Sequence, residues 1–142
     1  MKKTFLIFFV ITIVSAGVYA QRIDEKTVPA VVNDAFKQHF PGIKGKWERE
    51  KNNYEVNFKK DNKEMSAVID AKGAIIETEI EMAVNDLPAA VATYVKTRYK
   101  GAVIKEAARI EKPGGETLYE AEVNKKDLLF DANGKFIKEE KD

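Results

Sequence analysis

The chain has 142 residues, no cysteine and a formal net charge of +1 at pH 7. The lack of cysteine excludes disulfides, thiolate metal sites and thiol nucleophiles, so the fold must be held by core packing. A third of the residues are charged, with mixed signs and no basic tract, which argues against nucleic-acid binding and against attraction to acidic lipids.

The chain opens on Met1-Lys2-Lys3, continues through an apolar run from Thr4 to Val14, and reaches small residues with Val18 and Ala20 at the minus-three and minus-one places. This pattern reads as a secretory signal peptide over residues 1–20, with cleavage between Ala20 and Gln21. The apolar run is short of the roughly 20 residues that span a bilayer. No cysteine follows it to carry a lipid anchor. The mature chain is therefore expected to be periplasmic or secreted, near neutral once Lys2 and Lys3 are gone, and not inserted in the membrane.

The remainder of the chain repeats one pattern twice. In the first half, residues 21–84, the residues Val28, Val31, Val32, Ala35, Phe36 and Phe40 fall on one face of a helix. Thr27 is placed as its N-cap, Pro29 in its first turn, and Pro41-Gly42 at its end. The period then changes to two. Ile43 to Glu50 reads as a strand, followed by runs carrying Tyr54, Val56 and Phe58, then Met65, Ala67 and Ile69, then Ala74, Ile76 and Ile80. Turn residues separate them, as in Asp70-Ala71-Lys72-Gly73.

In the second half, residues 85–142, Leu87, Ala90, Val91, Tyr94, Val95 and Tyr99 repeat the helical stripe, with Asp86 as N-cap, Pro88 behind it and Gly101 at the end. Strands are expected from Val103 to Lys112, Glu116 to Lys125, Asp127 to Asp131 and Lys135 to Glu140. Asp131-Ala132-Asn133-Gly134 echoes the turn of the first half. The expected class is α+β: two tandem repeats in one compact unit, each a helix followed by a four-stranded antiparallel meander, with the helices covering one face of the sheet. The other face is left open, either as a docking surface or simply solvated.

The succession Val28-Pro29-Ala30-Val31, Phe40-Pro41-Gly42, Lys46-Trp47-Glu48, Tyr54-Glu55-Val56 and Asp70-Ala71-Lys72-Gly73 resembles the PepSY-like, or beta-lactamase-inhibitor-like, family of exported bacterial proteins. The second half carries the resemblance on Leu87-Pro88-Ala89-Ala90-Val91, Tyr119-Glu120-Ala121-Glu122-Val123 and Asp131-Ala132-Asn133-Gly134. It implies a fold like that of the beta-lactamase inhibitor protein, an envelope location in a Bacteroidetes-like bacterium, and protein binding or inhibition. Lys100 in place of a second proline and the short turn near Lys125 depart from the pattern, both in loops. The shared residues are framework, so no functional residue is carried over.

The inventory of reactive groups argues against an enzyme. Outside the signal segment the one serine is Ser66, and the one histidine is His39, placed near a helix end where a cation is welcome. A lone histidine does not make a zinc site. The two Asp-Ala-x-Gly turns lack the acidic ladder of a calcium loop and are explained as hairpin turns. Pro113-Gly114-Gly115 has no following helix to cradle phosphate. Glu77, Glu79 and Glu81 on one strand, and Glu120 and Glu122 on another, read as a solvated face rather than a catalytic pair. Trp47 beside Arg49 has two readings, an exposed partner-binding anchor or core beneath the first helix, and the family position favours core. Tyr54, Phe58, Tyr94, Tyr99 and Tyr119 fall on buried stripes, with hydroxyls at the rim.

No catalytic residue, cofactor or metal ligand is assigned. The sequence points to a non-enzymatic binding module of the cell envelope that binds another envelope or secreted protein, for instance by restraining a hydrolase. The alternatives are a carrier of a small apolar ligand and a carboxylate-based hydrolase.

Overall fold

The computed structural model describes residues 21–141; the predicted signal segment 1–20 and Asp142 lie outside the described residues. The elements run β1 (Gln21–Ile23), a 3-10 turn (Glu25–Thr27), α1 (Ala30–His39), β2 (Gly45–Glu50), β3 (Asn53–Lys60), β4 (Lys63–Asp70) and β5 (Ile75–Met82). A second 3-10 turn (Val84–Asp86) leads to α2 (Ala89–Arg98), β6 (Ile104–Glu111), β7 (Thr117–Val123), β8 (Lys126–Asp131) and β9 (Phe136–Lys141). The nine strands form one antiparallel sheet in sequence order, with β5 and β6 paired across the boundary between the halves. β1, which extends the sheet beyond β2, falls outside the expected pattern.

The helices begin later than the sequence suggests. A residue that precedes proline is pushed out of the helical region, and Val28 (ψ 131°) and Leu87 (ψ 148°) are both extended. Pro29 and Pro88 therefore take the cap positions themselves. Thr27 and Asp86 do not cap the helices as expected; each closes a 3-10 turn, and the Thr27 hydroxyl donates back to the Asp24 carbonyl at 2.7 Å. Both helices end in the same way. Gly42 (φ +77°) and Gly101 (φ +74°) take the left-handed position of a turn closed by Ile43 N–H to Phe40 O and by Ala102 N–H to Tyr99 O.

Both helices pack on one face of the sheet. Under α1, Phe36 meets Trp47 edge-on at 5.5 Å and Phe58 at 5.2 Å, over Val56, Ala67 and Ile69. Under α2, Tyr94 meets Phe130 edge-on and stacks on Phe136 at 4.6 Å, over Ala107, Ala121, Val123 and Leu128. Of the five aromatic residues expected on buried stripes, Tyr54 and Phe58 are buried, and Tyr94, Tyr99 and Tyr119 pack half-buried against the second core. The Tyr99 hydroxyl reaches out to Glu139.

The turns are duplicated atom for atom. Asp70 Oδ1 accepts from Lys72 N–H at 2.8 Å and Ala74 N–H at 2.9 Å, and Asp131 Oδ1 accepts from Asn133 N–H and Lys135 N–H, both at 2.9 Å. A bulge is duplicated too. Val68 pairs Glu77 while Ile69 pairs Ile75, leaving Ile76 extra; Leu129 pairs Lys138 while Phe130 pairs Phe136, leaving Ile137 extra. Each bulge reverses the inside-outside phase of its strand and sharpens the local twist.

Candidate functional site: a carboxylate-lined sheet face

Residues directly opposite on paired strands share a face, as do alternate residues along a strand. The registers therefore place four rows on the side of the sheet away from the helices. One row is Glu55, Val68 and Glu77. The next is Asn57, Ser66, Glu79, Ile110 and Leu118. Glu81, Ala108, Glu120, Leu129 and Lys138 form the third, and Glu106, Glu122, Asp127 and Glu140 the fourth. The bulge at Ile76 is what turns Glu77 and Glu79 to this side.

This face is concave and its centre is dry. Neither helix packs on it, yet Glu55, Glu77 and Glu79 are only 3%, 5% and 2% exposed, beside buried Val68, Ala108, Ile110 and Leu118. The field of Glu140 on β9 reaches Glu77 on β5 and Glu50 on β2, strands that do not pair with β9. The ends of the curled sheet therefore approach one another over this face.

Burial disfavours the charged form of a carboxyl. It is the main cause of every upward shift here. Glu55 is pushed up to about 8, with Glu79 adding to the effect. Glu79 is pushed up to about 8, with Glu77 and Asp127 adding to it. Glu77 rises to about 7, held back by Lys112, whose Nζ lies 3.9 Å from its Oε2. Glu106 rises to about 7, helped by a hydrogen bond to Glu122, and Glu120 is raised well above the usual range. One carboxyl oxygen each of Glu55, Glu77 and Glu79 is buried without a hydrogen-bond partner.

The expectation that Glu77 and Glu79 are solvated is therefore overturned; they lie on the side of the sheet away from the helices, but that side is dry where they sit. Ser66 is buried on the same face. His39 is exposed on the helix side, its Nδ1 3.0 Å from the Ala35 carbonyl, so the sheet separates it from Ser66. Trp47 is 2% exposed and belongs to the core under α1, while Arg49 is exposed, with its guanidinium 5.8 Å from the Tyr54 ring centre. Glu55 and Glu106 were not singled out by the sequence as a site. The available signal was the broken alternation at Ile76-Glu77 together with glutamates flanked by apolar residues on central strands.

Chemically, such carboxyls hold protons near neutrality and are acceptors in want of donors. Glu55, Glu77 and Glu79 are nearly fully enclosed, so a group from outside reaches their carboxyls only by displacing neighbouring side chains. Among the described residues, no group of three or more His, Asp or Glu side chains is placed to hold a metal ion. No helix among them is long and apolar enough to cross a membrane. A second concavity, of about 480 Å³, lies at the end of α1 between Glu25, Lys37, Ile43, Lys44 and Trp47.

The architecture defines an α+β protein in which two helices share one side of a continuous antiparallel sheet. The chain belongs to the PepSY-like family, described as "Putative beta-lactamase-inhibitor-like, PepSY-like", whose pattern matches residues 18–77 and again 69–138. Among solved structures it is similar to a BLIP-like protein from Bacteroides fragilis, at 28% identity and a TM-score of 0.59, over 79% of this chain and 84% of that one. It is also similar to a DUF2874 family protein from Bacteroides uniformis, at 18% identity and a TM-score of 0.69, over 79% and 88% of the two chains. A third structure, from Bacteroides eggerthii and described as "putative periplasmic proteins", matches at 18% identity and a TM-score of 0.69, over 80% and 88%. No curated protein matches.

Proposed function

We propose that the protein is an exported, non-enzymatic binding module of the cell envelope that receives another protein on its concave sheet face. The observation that carries this reading is the concave face itself, uncovered by either helix yet holding desolvated carboxyls, each with one oxygen that has no hydrogen-bond partner. Isolated buried acceptors are costly to a fold unless something outside the chain satisfies them. The signal-like segment and the periplasmic description of a structural relative support an envelope location. The family description supports restraint of a hydrolase as the form the binding takes.

The test is site-specific photo-crosslinking of the mature protein in envelope extract. A photoreactive residue at Leu129, on the concave face, should capture one protein in stoichiometric yield, and one at exposed Val103 should not. Capture from Val103 with none from Leu129 would refute the docking face. The groove beside α1 gives the small-ligand alternative a location, but its floor of Phe36 and Trp47 is closed, each 2% exposed.

A further inference from the structure

The two halves carry equivalent rows on the concave face, and one pair of rows, Glu55-Val68-Glu77 and Glu120-Leu129-Lys138, differs in the sign of its last charge. The turns Asp70–Gly73 and Asp131–Gly134 and the bulges at Ile76 and Ile137 superimpose Glu77 on Lys138 and Glu79 on Glu140. In the second half, the row runs Glu120, Leu129, Lys138, and the ammonium of Lys138 lies against Glu140. In the first half, the same row runs Glu55, Val68, Glu77, with a carboxyl where the second half has the cation. The first half is where Glu55 Oε1, Glu77 Oε1 and Glu79 Oε2 are left buried and unpartnered.

We propose that a basic segment of a protein partner, presenting Lys or Arg side chains, adds cations to this row, its charged groups seated between Glu55, Glu77 and Glu79, beside the Lys112 ammonium that stands 3.9 Å from Glu77. The proposal rests on the docking face described above and names its chemistry. Spacing favours a segment over a metal ion. Among the described residues no three carboxyls are placed to hold one ion, whereas alternate side chains of an extended peptide, about 7 Å apart, match the spacing of Glu77 and Glu79 along their strand. Val68, Ile110 and Leu118 between them offer an apolar bed for the stems of Lys or Arg. The four rows hold nine carboxyls and one lysine, so this face is acidic although the chain is nearly neutral as a whole.

Binding is coupled to protons. The charged groups around Glu77 and Glu79 are Glu55 from β3, Glu120 from β7, Asp127 from β8, Glu140 from β9 and Glu116, with Lys112 and Lys138 as the cations beside Glu77. A bound ammonium or guanidinium favours the ionised carboxylates, so protons leave as the segment arrives.

The probe is the peptide (Lys-Thr)5, with (Glu-Thr)5 as control, titrated calorimetrically into the mature protein near pH 7.5 in two buffers of different ionisation enthalpy. We expect saturable one-to-one binding of the basic peptide, a buffer-dependent heat that reports proton release, and no binding of the acidic one. Glu77→Lys, which copies the second half, should weaken binding about tenfold or more. Glu77→Gln should weaken it less, and Lys138→Glu should tighten it. Glu25→Gln with Glu111→Gln, on exposed residues outside these rows, should leave it unchanged. Circular dichroism of each variant checks that it is folded.

Equal loss in the Glu25/Glu111 variant, absence of saturable binding, or the same proton-linked heat from calcium chloride alone would overturn the proposal. A partner crosslinked from Leu129 that keeps its affinity for the Glu77→Lys protein would overturn the basic segment while leaving the docking face standing.

Discussion

Raising the pH should destabilise this protein, and Glu79→Gln should remove part of the effect. Glu55, Glu77 and Glu79 are pushed up to about 8, 7 and 8 by burial. In the unfolded chain they titrate in the ordinary carboxyl range, near about 4.3. Below that range both states are protonated and the stability is fully present. Between it and about pH 8 the folded state holds protons that the unfolded state has released, so stability falls as pH rises. Each unit of displacement is worth about 1.4 kcal/mol, and three such groups together reach the order of 10 kcal/mol, as large as the whole stability of a typical domain. Water entry and relaxation of the sheet reduce this, but even a third of it would lower the melting temperature by about 10 °C for a domain of this size. The assay is thermal unfolding by circular dichroism at about pH 5.5, 7 and 8.5 and constant ionic strength. The wild type should melt progressively lower across the series. Glu79→Gln, which cannot ionise, should show a shallower slope and should exceed the wild type at the alkaline end. A melting temperature that is flat or rises from about pH 5.5 to 8.5 would refute the burial of these carboxyls.

Gly73→Ala should cost about 1–3 kcal/mol in urea unfolding, because φ is +85° and a Cβ would lie 2.8 Å from the Val31 carbonyl oxygen. Gly42→Ala, at φ +77° with nothing within 4 Å, should cost about 1 kcal/mol from backbone strain alone. Asp70→Ala and Asp131→Ala each remove an acceptor for two backbone N–H groups, and the two variants should lose similar amounts, about 1–2 kcal/mol, in the same unfolding assay. Trp47→Ala should cost about 3–5 kcal/mol, as expected of a core aromatic residue. A change within about 0.5 kcal/mol would instead mark Trp47 as a surface residue.

The helix side of the sheet was legible because hydrophobicity alone specifies it. Phe36, Val56 and Ile69, like Val91, Ala121 and Phe130, recur at periods that bury one stripe and one face. The cap positions were missed because the conformational demand of proline on the preceding residue outweighs the capping preference of Thr27 and Asp86. β1 was missed because three residues carry no period, and only pairing with Arg49, Glu48 and Trp47 makes them a strand. The acidic face was misread for a different reason. Alternation distinguishes two faces but does not say whether the polar one is wet. That depends on curvature, which comes from twist and bulges accumulated over nine strands.

The dry centre of this face belongs to the whole sheet and not to either repeat. Glu79 lies on the last strand of the first half, but its neighbours in the row, Ile110 and Leu118, come from β6 and β7 of the second. The charges that bear on it include Asp127 of β8. The β5–β6 ladder, from Thr78 opposite Glu111 to Met82 opposite Ala107, is what brings them together. Each half carries a helix-covered core, and Met82 and Val84 of the first half also pack against the second. The edge-to-edge joining of the halves makes an environment that neither half contains, in which one copy of a repeated row holds a lysine and the other a glutamate.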